Sequence, residues 1–387
     1  MMVIGGGCSF RDNNASSVSD AAAVQSANTI TAIQYAGGFT LEQRQGYRIL
    51  RVLTPWRDAR ISFSYALVPR GAKHPILEPG VVLVETPVRR IVLASTTFVV
   101  YFAMLGIEDS IAGISGCRMV NTPSVAARIQ DGRIQEVGDG SGSAEGLNME
   151  RLLSLQPDLV MTFATGISQY DLHDRLREKD FKVAINSEYM ETTPLGRTEW
   201  IKFIAAFFDK EDEAERLFAD TAIRYANLTA MTRDVAQKPK VFCGSNYRGT
   251  WHMPGGNSYV ARFLRDAGAA YLWEEDRGTG STPLNIEAVL SRARHADYWL
   301  NPGVHRSREE IAAEDERYSV FPAFRAGRVY SDNAKMDAAG GNDIWETGVA
   351  YPDIVLADLI SIFHPEILQD HRRTWYWQLP EKASERK

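Results

Sequence analysis

Cysteine is scarce in this chain of 387 residues: Cys8, Cys117 and Cys243 are all there is. Three thiols cannot all pair, and their spacings match neither CxxC nor a zinc pattern. Cys117 and Cys243 read as buried small hydrophobes, with a disulfide between them as the alternative. The seven histidines, at 74, 173, 252, 295, 305, 364 and 371, form no HxH, HxxxH or HExxH pair, so no direct zinc or manganese site is expected. His252 alone is a candidate axial ligand for a haem. No apolar run approaches the ~18 residues of a membrane span; the longest, FVVYFAML from Phe98 to Leu105, suits a buried helix. Excess positive charge is missing as well. The net charge is −6, with Lys and Arg scattered, so nothing points to a nucleic-acid partner.

Motifs of catalysis are also lacking. No GxSxG, Walker A or GxGxxG occurs, and GDGSGS (138–143) does not lead from a strand into a phosphate-binding turn. A nicotinamide enzyme is therefore the weaker rival reading, no resident cofactor is called for, and a structural or adhesion lipoprotein is a second rival. What is present is the composition of a folded protein: 44% hydrophobic and 24% charged residues, in a chain long enough for two domains.

The opening MMVIGGGCSFRDNNASSVSDAAAVQSAN places small residues before Cys8 and a Ser/Ala/Asn-rich tail after it. This resembles the end of a bacterial lipoprotein signal, with residues 1–28 as lipidated terminus and tether. The basic and apolar regions that normally come first are absent, and Gly5 stands where Leu is usual. Residues 29–87 are β-rich: ITAIQYAG, YRILRVL, ISFSYALVP and VVLVETP alternate or run apolar between Gly and Pro punctuation. From residue 88 the texture becomes βαβ, with RRIVLAS, SIAGISG, PDLVMTF and KVAIN as strands and amphipathic helices between them. Residues 210–236 lack Gly and Pro and form a stiff rod of roughly 35–40 Å at ~1.5 Å per residue. From residue 237 the βαβ plan repeats, with KVFCGS, ADYWLNPG and GRVYSDN as strands and DIVLADLISIFHPE as a closing helix. The fold class is α/β: two Rossmann-like lobes (88–209 and 237–387) joined by one long helix, with a β-rich N-terminal extension. Tyr271 and Trp273 in AAYLWEE read as core.

One phrase is written twice. LNMERLLS begins at Leu147 and LNIEAVLS at Leu284. In both halves the octet opens a helix that precedes a strand. Asn148 and Asn285 suit the N-cap, which puts Glu150 and Glu287 near the positive helix end. The octet is then either a helix-start device in a duplicated fold or something that needs the same acid twice.

The stretches RRIVLASTTFVVYFAMLGIEDSIAGISG, VGDGSGSAEGLNMERLLSLQPDLVMTF, LNIEAVLSRARHADYWLN and WETGVAYPDIVLADLISIFHPE, in that order around the long helix, resemble the iron-siderophore and cobalamin substrate-binding proteins of ABC importers. The resemblance spans about residues 88–366, and NxExLLSLxPDLV is its most specific part. It implies a ligand held between two lobes, little lobe motion, and a monomer that docks on a membrane permease. It also implies that Glu150 and Glu287 meet arginines of the two permease subunits, a pairing that sets orientation and encounter rate more than affinity.

Ligands of open α/β lobes sit beyond the carboxyl ends of strands. That rule selects Ser95, Thr96 and Thr97, then Arg118, then Thr165. In the second half it selects Tyr247, Arg248 and Trp251 on NYRGTWHMPGGNSY, with Lys335 and Trp345 further on. Aromatic faces and cations suit a bulky metal chelate, with a ferric siderophore as the first candidate, cobalamin or a corrinoid as the second, and haem after these. Lipidation of Cys8 predicts a thioether-linked lipid in the mass spectrum of membrane-extracted protein; an unmodified thiol there removes the anchor.

Overall fold

The computed structural model describes residues 31–141 and 145–383; Cys8 and the tether lie outside them. The chain begins with a four-stranded sheet, β1 (Phe39–Arg44), β2 (Tyr47–Val52), β3 (Phe63–Pro69) and β4 (Val82–Thr86), in the order β1-β2-β3-β4. Only the β3–β4 pairing is parallel. Alternation along these strands buries Phe39, Leu41, Leu50, Val52, Phe63, Tyr65 and Leu67 against the first lobe. Phe39 packs on Trp200 with ring centroids 4.9 Å apart, and Tyr65 on Phe207 at 5.8 Å. The strap leading into β1 is held by two carboxylates. Glu199, fully buried, accepts the backbone N–H groups of Gln34, Tyr35 and Ala36, and Glu191 accepts those of Gly37 and Gly38. Burial of an ionised acid costs several kcal/mol unless it is paired and hydrogen-bonded. Here the N–H groups do that together with Lys202, whose Nζ lies 2.9 Å from Glu199.

The first lobe is a parallel sheet of β5 (Ile91–Leu93), β6 (Ile111–Ser115), β7 (Gln135–Gly138), β8 (Leu159–Thr162) and β9 (Val183–Ile185), ordered β7-β6-β5-β8-β9. All its strands but the edge strand β7 are buried on both faces, which is why they read as continuous apolar runs. Helices α1 (Val99–Met104), α2 (Pro123–Gln130), α3 (Met149–Leu155), α4 (His173–Arg177), α5 (Pro194–Thr198) and α6 (Ile201–Ala206) accompany it. The single connection α7 (Glu211–Thr232), 22 residues and about 33 Å at 1.5 Å per residue, leads to the second lobe. Two carboxylates of that lobe hold it: Asp353 pairs with Arg224, and Asp266 accepts the Tyr225 hydroxyl at 2.8 Å.

The second lobe contains β10 (Lys240–Cys243), β11 (Asn246–Tyr247), β12 (Thr250–Pro254), β13 (Ala270–Tyr271), β14 (Ser281–Leu284), β15 (Tyr298–Leu300), β16 (Val329–Ser331) and β17 (Trp377–Gln378). Helices α8 (Tyr259–Asp266), α9 (Ile286–Ala293), α10 (Arg308–Glu314), α11 (Pro322–Arg325) and α12 (Pro352–Phe363) complete it. The main sheet runs β13-β10-β15-β16-β17, parallel except at β17, and β11-β12-β14 form a small antiparallel sheet of their own. Tyr271 and Trp273 are buried in this lobe. Cys117 and Cys243 are both buried free thiols, so the disulfide alternative does not stand. Burial pushes the Cys117 thiol up to about 12, which makes it inert.

Candidate functional site: the inter-lobe cleft

The order β7-β6-β5-β8-β9 reverses direction between β5 and β8, and a crevice opens beyond the strand ends at such a switch point. The cleft lies there. It measures about 550 Å³ and is lined from the first lobe by the segment after β5 (Ala94 to Phe98), by Phe163 and Thr165 after β8, and by Glu188 and Tyr189 after β9. The second lobe closes it with Gly340, Gly341, Asn342, Trp345 and Glu346. Ser95 caps the turn that presents the two threonines: its Oγ accepts the Thr97 N–H and lies 3.0 Å from the Thr97 hydroxyl. Thr165 is fixed by Asp171, which accepts its N–H at 2.6 Å and its hydroxyl at 2.8 Å.

The floor is charged but neutralised. Arg197, on α5, is buried and pairs with buried Glu188. Burial disfavours its charge, yet Glu188 outweighs that and holds the Arg197 pKa above its ordinary value. Its guanidinium lies over two rings of the other lobe, Tyr259 at 5.0 Å and Trp345 at 5.8 Å. Beside it Glu346, also buried, crosses in the opposite sense. Its carboxylate accepts Asn121 N–H at 2.8 Å, and Thr122 N–H and hydroxyl at 2.7 and 2.5 Å, at the start of α2. Burial pushes the Glu346 carboxyl up, while these three donors pull it down.

Of the residues selected by the strand-end rule, Ser95, Thr96, Thr97, Thr165 and Trp345 line this cleft, and Trp345 is 41% exposed. Five others lie elsewhere. Trp251 is fully buried, its rings 6.2 Å from Phe242 and 5.7 Å from Trp299, with Nε1–H donated to the Cys243 carbonyl. The cause is local. The chain after β10 does not splay into a loop but folds back as the hairpin β11–β12, whose two-residue turn Arg248–Gly249 has φ of 53° and 87°, as a type I′ turn requires. Tyr247 and Arg248 sit at the tip of that hairpin, the guanidinium 5.1 Å from the Tyr247 ring. His252, on β12, is exposed and 3.3 Å from the Ser281 hydroxyl, not in the cleft. Arg118 borders a separate hollow with Glu136, Asn148 and Arg151. Lys335 faces another, with Asp343 at 3.7 Å and the Trp375 ring at 5.6 Å. Glu188, Tyr189, Arg197 and Glu346 were missed. The strand-end rule applied after KVAIN would have found the first two; no local pattern marks the last two.

The repeated octets start α3 and α9. The Asn148 side chain accepts Arg151 N–H and the Asn285 side chain accepts Ala288 N–H, so each glutamate is the second helical residue, and both are exposed. The loop entering α3 also supplies Gly140 and Ser141 to the cleft. In a parallel α/β lobe the helix N-terminus lies at the carboxyl edge of the strands, so Glu150, which follows parallel strand β7, stands on the cleft-side rim of its lobe, whereas α9 is entered from β14 of the small antiparallel sheet. Glu287 meets Arg317 at 3.2 Å.

The periplasmic binding protein family matches residues 91–336, well over half of the chain. The chain belongs to that family. Its members bind solutes for transport and are not catalysts. This binding protein is 26% identical over 318 residues to an uncharacterized lipoprotein of Methanocaldococcus jannaschii, covering 80% of this chain and 73% of that one. Its fold is similar to that of CeuE of Helicobacter pylori in a nickel–histidine complex: TM-score 0.56, 18% identity, 74% of this chain and 86% of that one. It is also similar to a periplasmic heme-binding protein of Pseudomonas aeruginosa: TM-score 0.52, 18% identity, 72% and 93%.

Glu346→Ala will leave two N–H groups without partners, at a cost of roughly 1–3 kcal/mol. Thermal unfolding will show a Tm lower by about 1–4 °C, with Glu346→Gln recovering part of the loss. An unchanged Tm for the alanine variant removes the inter-lobe role assigned to this carboxylate.

Proposed function

We propose that this protein is the substrate-binding component of an ABC importer, which captures a metal chelate between its lobes, a ferric siderophore foremost, and delivers it to a permease. The observation that supports this reading most is the cleft at the switch point. It joins a hydroxyl rim (Ser95, Thr96, Thr97, Thr165) to broad aromatic faces (Phe163, Tyr189, Trp345), a surface that suits a bulky, oxygen-rich ligand. A corrinoid is the second reading, favoured by one specific feature: the cleft's own cation, Arg197, is already neutralised by Glu188. The protein acts outside the cytoplasmic membrane as a monomer, anchored through a lipid on Cys8.

Thermal-shift measurements against ferric siderophores, cobalamin, cobinamide and haem separate these readings. A cognate ligand at 100 times its Kd adds about 2.7 kcal/mol to folding stability. We expect the shift with a ferric siderophore. A shift with cobalamin alone overturns that choice, and none with any chelate favours a structural lipoprotein.

Glu150 and Glu287 are read as the two contacts to a two-fold symmetric permease. Their exposure, their matched helix positions and the repetition of the octet support this. The Glu150→Ala, Glu287→Ala double variant is expected to bind chelate as before while transport falls about tenfold or more, as loss of two complementary charge contacts implies. Full transport by that variant ends the docking role.

A further inference from the structure

A ferric siderophore with an anionic metal centre needs a cation, and among the described residues lining the cleft Arg197 alone is one, and it is committed to Glu188. The N-terminal sheet supplies another. The β2–β3 connection turns at Pro55–Asp58, with Asp58 at φ 60°, and this turn is seated on both lobes. On the first lobe the Ser187 hydroxyl donates to the Pro55 carbonyl at 3.0 Å, one residue before cleft-lining Glu188. Trp56 stacks on His173, centroids 5.9 Å apart, and lies so close to Gly166 that a Cβ there would stand 2.6 Å from its indole. Gly166, at φ 77°, immediately follows cleft-lining Thr165.

Arg57 reaches further. Its Nη2 lies against Gly280 of the second lobe, where a Cβ would overlap it. On the first-lobe side its charge acts on Tyr189: burial, then Asp171 and Glu188, push that phenol up to about 12, and Arg57 opposes them. Arg57 is exposed and makes no ion pair or hydrogen bond among the described residues. A guanidinium that reaches across the gap between two lobes, paired with no carboxylate among the described residues and acting on a residue of the cleft wall, is available to an anion.

We propose that the Pro55–Asp58 turn of the N-terminal extension borders the cleft mouth behind Thr165, Glu188 and Tyr189, and that Arg57, seated across the lobe gap on Gly280, is the residue that selects anionic over uncharged cargo. The inference rests on the chelate-binding reading above. It gives a role to an extension that precedes the family match at residue 91, and it answers the corrinoid argument, because the missing free cation comes from outside the two lobes.

The test is calorimetry with two probes, ferric enterobactin (a trianionic catecholate) and ferrichrome (an uncharged hydroxamate), on the full protein and on Arg57→Ala and Gly280→Ala. The glycine variant pushes the flexible guanidinium from its seat while keeping its charge. We expect the preference for the anionic probe to fall about tenfold in Arg57→Ala, the size of one lost charge-assisted contact, and by less in Gly280→Ala. An unchanged preference overturns the proposal. If the unaltered protein binds neither probe, the chelate reading fails with those cargoes, and iodide quenching of Trp345, isolated by subtracting a Trp345→Phe background, decides the role of Arg57. Weaker quenching by iodide, but not by acrylamide, in Arg57→Ala supports it; equal iodide quenching overturns it.

Discussion

The buried Arg197–Glu188 pair stands where both lobes and the cleft meet. Taking two charges out of water costs several kcal/mol each, repaid only when geometry is good and the remaining donors are satisfied. Such a pair is weak as a source of stability and strong as a specification. Glu188 belongs to the segment after β9 and Arg197 to α5, so the pair fixes the shape of the first lobe's rim. The faces of Tyr259 and Trp345 on the guanidinium then tell the second lobe where to sit.

Relative movement of the lobes is restrained at two places. Helix α7 is a continuous rod held to α8 and α12 by the Tyr225–Asp266 and Arg224–Asp353 contacts, so bending must break helix hydrogen bonds rather than rotate a loop. At the cleft floor, Glu346 ties the second lobe to the start of α2. Opening requires three donors to change partners together. Small closure around cargo is compatible with this arrangement; a wide hinge motion is not.

The first half of the site was legible because the first lobe obeys the simplest rule of parallel sheets, so the residues following IVL and LVMT fall in the crevice. The second lobe misled for a definite reason. A glycine-bearing loop after a strand can splay toward ligand or pair with itself, and only non-local contacts decide; at NYRGTW the aromatic core of Phe242, Trp299 and Phe321 captured Trp251. The long helix was readable over most of its length, from the absence of Gly and Pro. The cross-lobe partners Arg197 and Glu346 were not readable, since nothing in the sequence near either announces a contact with residues in the opposite half.

The grip of Glu199 and Glu191 on five consecutive amides, Gln34 to Gly38, makes the N-terminal sheet and the first lobe one cooperative body. Peeling the strap away would strand a wholly enclosed carboxylate with a single lysine for company, so the sheet cannot fray while its neighbour stays folded. Any load borne by the strap is thus passed to the backbone around α5, the helix that carries cleft-lining Arg197, and not absorbed by a loose appendage.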